Sequence, residues 1–297
     1  MLEGSVRRSG NQLRVNAQLV DAETDVHLWA QRFDGDIGDL FALQDEVTSR
    51  IGNTLNRELI AAEAARPADH PDALDYILRA RAVFTKGPAR EHKDGAIGFY
   101  ERALAIDPQS VEAQTWLAMI LAARVREGQS DSPAADIERA EGLVTQALAL
   151  APRSARVHTV KGGLLQAKHR WDEAISEYET VLASDRNSAV SLAGIGICKV
   201  QTGLVDEAIT WFEKARSISP GVPQARANLA SAYGLKGETE RAAAELAEAQ
   251  RLSANDRFSS IARLKRVSDL ASAAPKIRAL AEATFFAGLR KAGMPEE

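Results

Sequence analysis

The chain has a single cysteine, Cys198, among 297 residues. An intramolecular disulfide is therefore excluded, and a reducing compartment fits. A reactive thiol needs an electropositive, accessible setting. Only the neighbouring Lys199 hints at one, so Cys198 reads as a small packed residue on a helix. Aromatic residues are scarce, at 5%; with alanine abundant, this composition suits helices that pack closely. No apolar run approaches a membrane span, since the best, Trp116 to Ala123, is far too short. The N-terminus lacks an apolar signal core, because Met1-Leu2-Glu3-Gly4 leads directly to Arg7 and Arg8. A cytoplasmic location with no membrane partner is the expectation. The net charge of −4 gives no bulk pull toward nucleic acid or an anionic surface.

What the chain does have is a period. Ala140, Ala174, Ala208 and Ala242 stand 34 residues apart. Four residues after each comes a larger apolar side chain: Val144, Tyr178, Phe212 and Leu246. Seven after come Ala147, Val181, Ala215 and Ala249; twelve after come Pro152, Arg186, Pro220 and Ala254. Small residues at fixed offsets in such a period mark a solenoid of paired helices, A then B. An earlier unit has Ala96, Tyr100, Ala103 and Pro108 at the same offsets, with its inter-helix loop expanded around Lys86-Gly87-Pro88. Extra residues from Glu127 to Pro133 stretch the interval from Ala96 to Ala140 to 44.

Within helix A, the positions facing helix B are Leu117, Ala118 and Leu121 in unit two. They are Ile195, Gly196 and Lys199 in unit four, and Leu229, Ala230 and Tyr233 in unit five. A small residue at the second position lets the helices approach. The proline near a unit's end stops helix B. Gly203 and Gly237 occupy the A-to-B turn, where a left-handed conformation is useful.

Residues 2–34 read as strands. Val6 precedes a turn at Ser9-Gly10-Asn11, and Leu13, Val15, Ala17 and Leu19 alternate with polar residues. A turn at residues 21–25 leads to a third segment, Val26 to Phe33, so antiparallel hairpins are expected. Asp34-Gly35-Asp36 is expected to end the sheet as a turn. A helix from about Asp39 to Ala65 then carries Leu40, Leu43, Val47 and Ile51 on one face. Arg66 to Pro71 reads as a linker. Past the last unit, Ile261, Leu264, Val267 and Leu270 suggest one helix, and Pro275 starts another with Ile277, Leu280 and Phe285. An atypical last unit covers the apolar end of a solenoid. The organisation is 1–66, a small α/β segment of three strands and one long helix; 67–256, about five helix pairs; and 257–297, capping helices.

The repeat resembles the tetratricopeptide family over roughly residues 73–254, which implies a mainly α fold, an α-solenoid of helix pairs. Against that pattern, unit three has Lys161 where a large apolar residue is usual and His169 where the turn glycine is usual, so its helix A is expected to pack less tightly. The resemblance implies that concave-facing residues of helix A bind a partner peptide or helix. Counted on the repeat, these are Arg156, Thr159 and Gln166 in unit three; Val190, Ala193, Ile197 and Gln201 in unit four; and Gln224, Ala227, Ser231 and Leu235 in unit five. The set is only mildly polar and points to an apolar or helical protein ligand.

The front resembles a second group. Leu2-Glu3-Gly4-Ser5-Val6-Arg7-Arg8, Val15 to Ala22, His27-Leu28-Trp29 and Leu40 to Glu46 look like the end of a TolB-like amino-terminal domain. Lys276 to Leu280 and Gly288 to Gly293 also resemble cyclase-linked members. In such bacterial proteins this domain joins a class III adenylate cyclase, or a winged-helix regulator of the CadC type, to tetratricopeptide repeats. The resemblance implies either the C-terminal regulatory region of such a protein or a short paralogue. A sheet lacking neighbouring strands is expected to self-associate through residues 2–34.

No catalytic constellation stands out, and neither cofactor nor metal is expected. Gly194-Ile195-Gly196-Ile197-Cys198-Lys199 lacks phosphate-loop spacing and falls inside a helix by repeat phase. His158 and His169 have no Cys or acidic residue at ligand spacing. His27 beside Trp29 reads as a strand pair. The basic residues Arg257, Arg263, Lys265, Arg266, Lys276, Arg278, Arg290 and Lys291 read as a solvated helix face, without the aromatic interleaving of a nucleic-acid site. The expectation is a non-enzymatic scaffold that binds another protein, with no nucleic-acid partner.

Overall fold

The computed structural model describes residues 1–20, 27–36, 60–61, 64, 71–87, 89–253, 256–267 and 275–297. The expected turn at 21–25, most of the expected helix at 39–65, residues 66–70 of the linker, and Leu270 lie outside these. The chain forms two compact units, Met1–Lys86 and Gly87–Glu297.

The first unit carries an antiparallel sheet in the order β1 (Leu2–Ser9), β2 (Gln12–Val20), β3 (His27–Asp36). Val6 opposes Val15, and Val15 opposes Phe33. Period-2 alternation sends Leu13, Val15, Ala17, Trp29 and Phe33 into one apolar cluster. Gly10 turns the first hairpin at φ 62°. Asp34-Gly35-Asp36 is strand rather than the expected turn. Its register sets Asp34 opposite Arg14, whose Nε donates to the carboxylate at 2.6 Å, and Arg32 Nε lies 3.0 Å away. Arg14 reaches Asp34 across the ladder and Arg32 from two residues earlier on the same strand, so one cross-strand ion pair ties β3 to β2 here. The unit also contains helix α1 (Ala73–Phe84), opened by a reciprocal cap: Asp75 N–H donates to the Asp72 side chain and Asp72 N–H to that of Asp75, both at 2.9 Å.

The second unit is a ladder of helix pairs. It begins with α2 (Arg90–Ile106), then α3 (Val111–Arg126) with α4 (Pro133–Leu150), and α5 (Ala155–Ala167) with α6 (Trp171–Ser184). There follow α7 (Ala189–Gln201) with α8 (Val205–Ile218), and α9 (Pro223–Lys236) with α10 (Thr239–Leu252). The periodic alanines Ala140, Ala174, Ala208 and Ala242 are all fully buried. Close packing is visible at Gly196: a β-carbon built there would stand 2.6 Å from the Phe212 ring. The Gly194-to-Lys199 stretch is interior helix, as the repeat phase requires. Helices α4 and α8 end two residues before Pro152 and Pro220, but α6 stops equally well before Arg186. Proline is thus not required there.

The A-to-B turns from α3 to α10 close the same way. The residue after the turn donates its N–H to the carbonyl five residues back: Gln129 to Arg124, Arg170 to Leu165, Leu204 to Lys199 and Glu238 to Tyr233. The residue just before that donor is left-handed: Gly128, His169 (φ 57°), Gly203 and Gly237. His169 accepts this non-glycine conformation with its ring set edge-on to Trp171 at 5.2 Å. Lys161 reaches Glu177 at 2.7 Å, an ion pair where apolar packing is usual.

Past α10 come α11 (Ile261–Val267) and a terminal helix of three parts: α12 (Pro275–Ala281), a π turn Glu282–Phe286, and α13 (Ala287–Lys291). The terminal helix ends like a helix A. Met294 N–H donates to Leu289 C=O at 3.0 Å, and Gly293 is left-handed. Ile261 and Ala262 N–H donate to Pro295 and Glu296 carbonyls, both at 2.8 Å, so the chain end supplies acceptors to the first turn of α11. Phe258, Ile261, Leu264, Phe286 and Leu289 join the core of α8 to α10.

Candidate binding groove

The structure places ten of the eleven expected groove residues in three environments. Arg156 and Val190 are exposed, Val190 at 66%. Thr159, Ala193 and Leu235 are half-buried, and the Thr159 hydroxyl donates back to Ala155 C=O at 2.9 Å. Gln166, Ile197, Gln201, Gln224 and Ser231 come together around one cavity of about 510 Å³.

Two residues expected to face a partner are instead covered. Ala227 is fully buried, and Ser231 is 3% exposed. The Ser231 hydroxyl donates to Phe285 C=O at 3.0 Å, so the terminal helix lies on α9. Gly234 and Gly288 make this approach possible: a β-carbon on Gly288 would meet the Ser231 carbonyl, and one on Gly234 would meet that of Gly288. The groove at unit five is therefore filled by the chain's own terminal helix.

Gln166 is also more buried than a ligand-facing residue should be. Its amide donates to Gly194 C=O at 2.9 Å and approaches Cys198 Sγ at 3.3 Å, tying α5 to α7. Burial pushes the Cys198 thiol up, with the Gln166 bond opposing, so the residue is a packed thiol.

The repeat count missed the rest of the cavity wall. Trp171 and Phe212 come from the B helices, and Leu280, Thr284 and Phe285 from the terminal helix. Arg126, Glu127 and Arg257 add charge. Arg257 was expected on a solvated face. It is half-buried instead, with its guanidinium 5.4 Å from the centroid of the Phe258 ring. Two other tail cations are internal partners: Lys265 and Arg290 both pair with Glu282, the latter at 2.9 Å. Only tertiary contact distinguishes these residues from a solvated stripe.

His158 lies inside α5 and His169 in the turn that follows it; His158 Nδ1 lies 2.7 Å from Glu177 of the next helix, and Nε2 lies 3.1 Å from Pro152 C=O. Among the described residues no group of three His, Cys, Asp or Glu could hold a metal ion. No described helix is long and apolar enough to cross a membrane.

Helix pairs of this phase define a class, the tetratricopeptide-type solenoid. The sequence model described as tetratricopeptide repeat matches residues 125–189 and again 161–223. A thermophilic tetratricopeptide protein of Thermus thermophilus shares the fold at a TM-score of 0.54 and 20% identity, covering 67% of this chain and 98% of that one. A protein of Rhizobium meliloti (strain 1021) named "Putative adenylate cyclase 3" is 34% identical over 178 residues, 59% of this chain. The match spans 30% of that relative's length.

Proposed function

We propose that the chain is a non-enzymatic interaction scaffold in bacterial signalling, seating an apolar or helical peptide segment of a partner protein along α5 and α7. One observation carries this reading. Ile197 and Gln201, singled out by repeat phase as concave-facing, border a cavity whose walls are mixed apolar and polar. Grooves of that character accept the apolar face of a peptide. The test is a peptide selected from a displayed library on the purified chain. Its affinity should fall at least about tenfold, roughly 1.4 kcal/mol, for Ile197→Glu; an unchanged Kd overturns the groove assignment.

A second reading is favoured by the Rhizobium relative and by the TolB-like motifs at the front. In it, the chain is the C-terminal regulatory region of an adenylate cyclase or winged-helix regulator, and the solenoid passes partner binding to an output domain. An in-frame cyclase or winged-helix domain upstream of Met1 would favour this reading. Under both, residues 1–297 make no cyclic AMP from ATP with Mg²⁺ or Mn²⁺, and clear turnover would overturn both. We also propose self-association through β1, which is exposed from Glu3 to Ser9.

A further inference from the structure

The cavity beside the terminal helix has the size of a small-molecule site, about 510 Å³ against the roughly 300–1,000 Å³ typical of such sites. One part of its wall is apolar, built by Ile197, Val200, Phe212, Leu280 and Phe285 from three separate stretches of chain.

Two polar atoms in the wall lack hydrogen-bond partners among the described residues. Arg257 Nε is shielded from solvent and has no hydrogen-bond acceptor among the described residues. An enclosed guanidinium N–H without an acceptor is costly, and burial lowers the pKa of this half-buried group, with the charge of Glu127 opposing. Glu127 pairs with Lys93 through Oε2 and acts on Arg257 through its charge. With Arg126 also at the wall, the cavity favours an anion. The second group is Gln201. Its amide N–H reaches the Thr284 hydroxyl at 3.4 Å, and its Oε1 is buried without a donor. Thr284 and Phe285 lie in the π turn of the terminal helix, a conformation frequent at functional sites.

We propose that this cavity binds a small apolar anion, an aromatic or aliphatic carboxylate or sulfonate. The charge is taken by Arg257, the apolar body lies against Ile197, Phe212 and Phe285, and where the ligand carries an N–H or O–H, Gln201 accepts it. The site shares a wall with the peptide groove but does not rest on peptide binding, and its test needs no protein partner.

The probe is 8-anilinonaphthalene-1-sulfonate, which carries an aromatic body, one sulfonate and one N–H. Titrated into the full chain, its fluorescence should rise to saturation at a single site. Decanoate should displace it at least about tenfold more effectively than decanol, and Arg257→Gln should weaken probe binding by a similar factor. A non-saturating signal, equal displacement by decanol, or unchanged binding by a folded Arg257→Gln would overturn the proposal. If that variant does not fold, the comparison of decanoate with decanol on the unmodified chain decides.

Discussion

The ring of Tyr178 occupies the space a β-carbon on Gly194 would need: built there, that carbon stands 2.5 Å from Tyr178 Cζ. On the other side, a β-carbon on Gly162 would stand 2.7 Å from the same ring. Tyr178 is thus held between two helix A backbones, from α5 and α7.

Glycine inside a helix normally costs about 1 kcal/mol relative to alanine. At Gly194 the clash should outweigh that gain, and Gly194→Ala should lose about 1–3 kcal/mol. Gly142, in α4 with nothing within 4 Å of a built β-carbon, should show the opposite sign and gain about 0.5–1 kcal/mol. Urea denaturation of both variants checks the contrast.

Glu245 is 7% exposed and accepts from Arg226 at 2.9 Å and from Arg216. Glu245→Ala leaves two guanidiniums facing each other in partly buried space. A loss of about 3 kcal/mol is expected, the lower end for breaking a buried pair, read as a shift in the urea midpoint.

Burial alone would raise the Glu177 carboxyl, but hydrogen bonds from His158 and Lys161 outweigh it and hold the group below its ordinary 4.5. A folded-state pKa below the unfolded value adds stability that is fully present above the unfolded value and is lost as pH falls through the folded one. Stability should therefore decline on acidification from pH about 4.5 downward. Glu177→Gln should flatten that limb, measured by thermal melts across the range; an identical acid limb in the variant would refute the assignment.

A side chain at Gly288 would run into the Ser231 backbone, which cannot yield as a flexible side chain could. Gly288→Val should detach the terminal helix from α9 at a cost of about 1–3 kcal/mol or more. Hydrogen exchange is the readout: amides of α13 should lose protection while those of α5 to α8 keep it.

If β1 pairs between copies, a charge at the centre of that strand should oppose it. Val6 is 65% exposed, so Val6→Lys should leave the fold intact and shift sedimentation toward the monomer. A concentration-independent monomer for the unmodified chain would end the idea.

The solenoid was legible in the sequence because its determinants are local and periodic. Offsets of four and seven from each periodic alanine fall on one helix face, so Ala208, Phe212 and Ala215 announce their own burial. The turn glycines Gly203 and Gly237 were equally readable, since a left-handed residue is demanded by backbone geometry at a fixed place in each unit. The cavity wall was half legible. Repeat phase picked out Ile197 and Gln201, which line it, yet it also chose Ala227 and Ser231, because phase cannot see a helix arriving from outside the repeat.

The amino-acid sequence by itself determined the helix pairs, their spacing and the small residues that let them approach. Tertiary structure alone decided what fills the concave side. The contacts that close it join Ser231 to Phe285 across 54 residues and Gln201 to Thr284 across 83. They follow no period, and they depend on shape and on unmet hydrogen bonds. Likewise, only the folded chain sets Arg257 at the cavity wall, turning what reads as a solvated charge into a half-buried one.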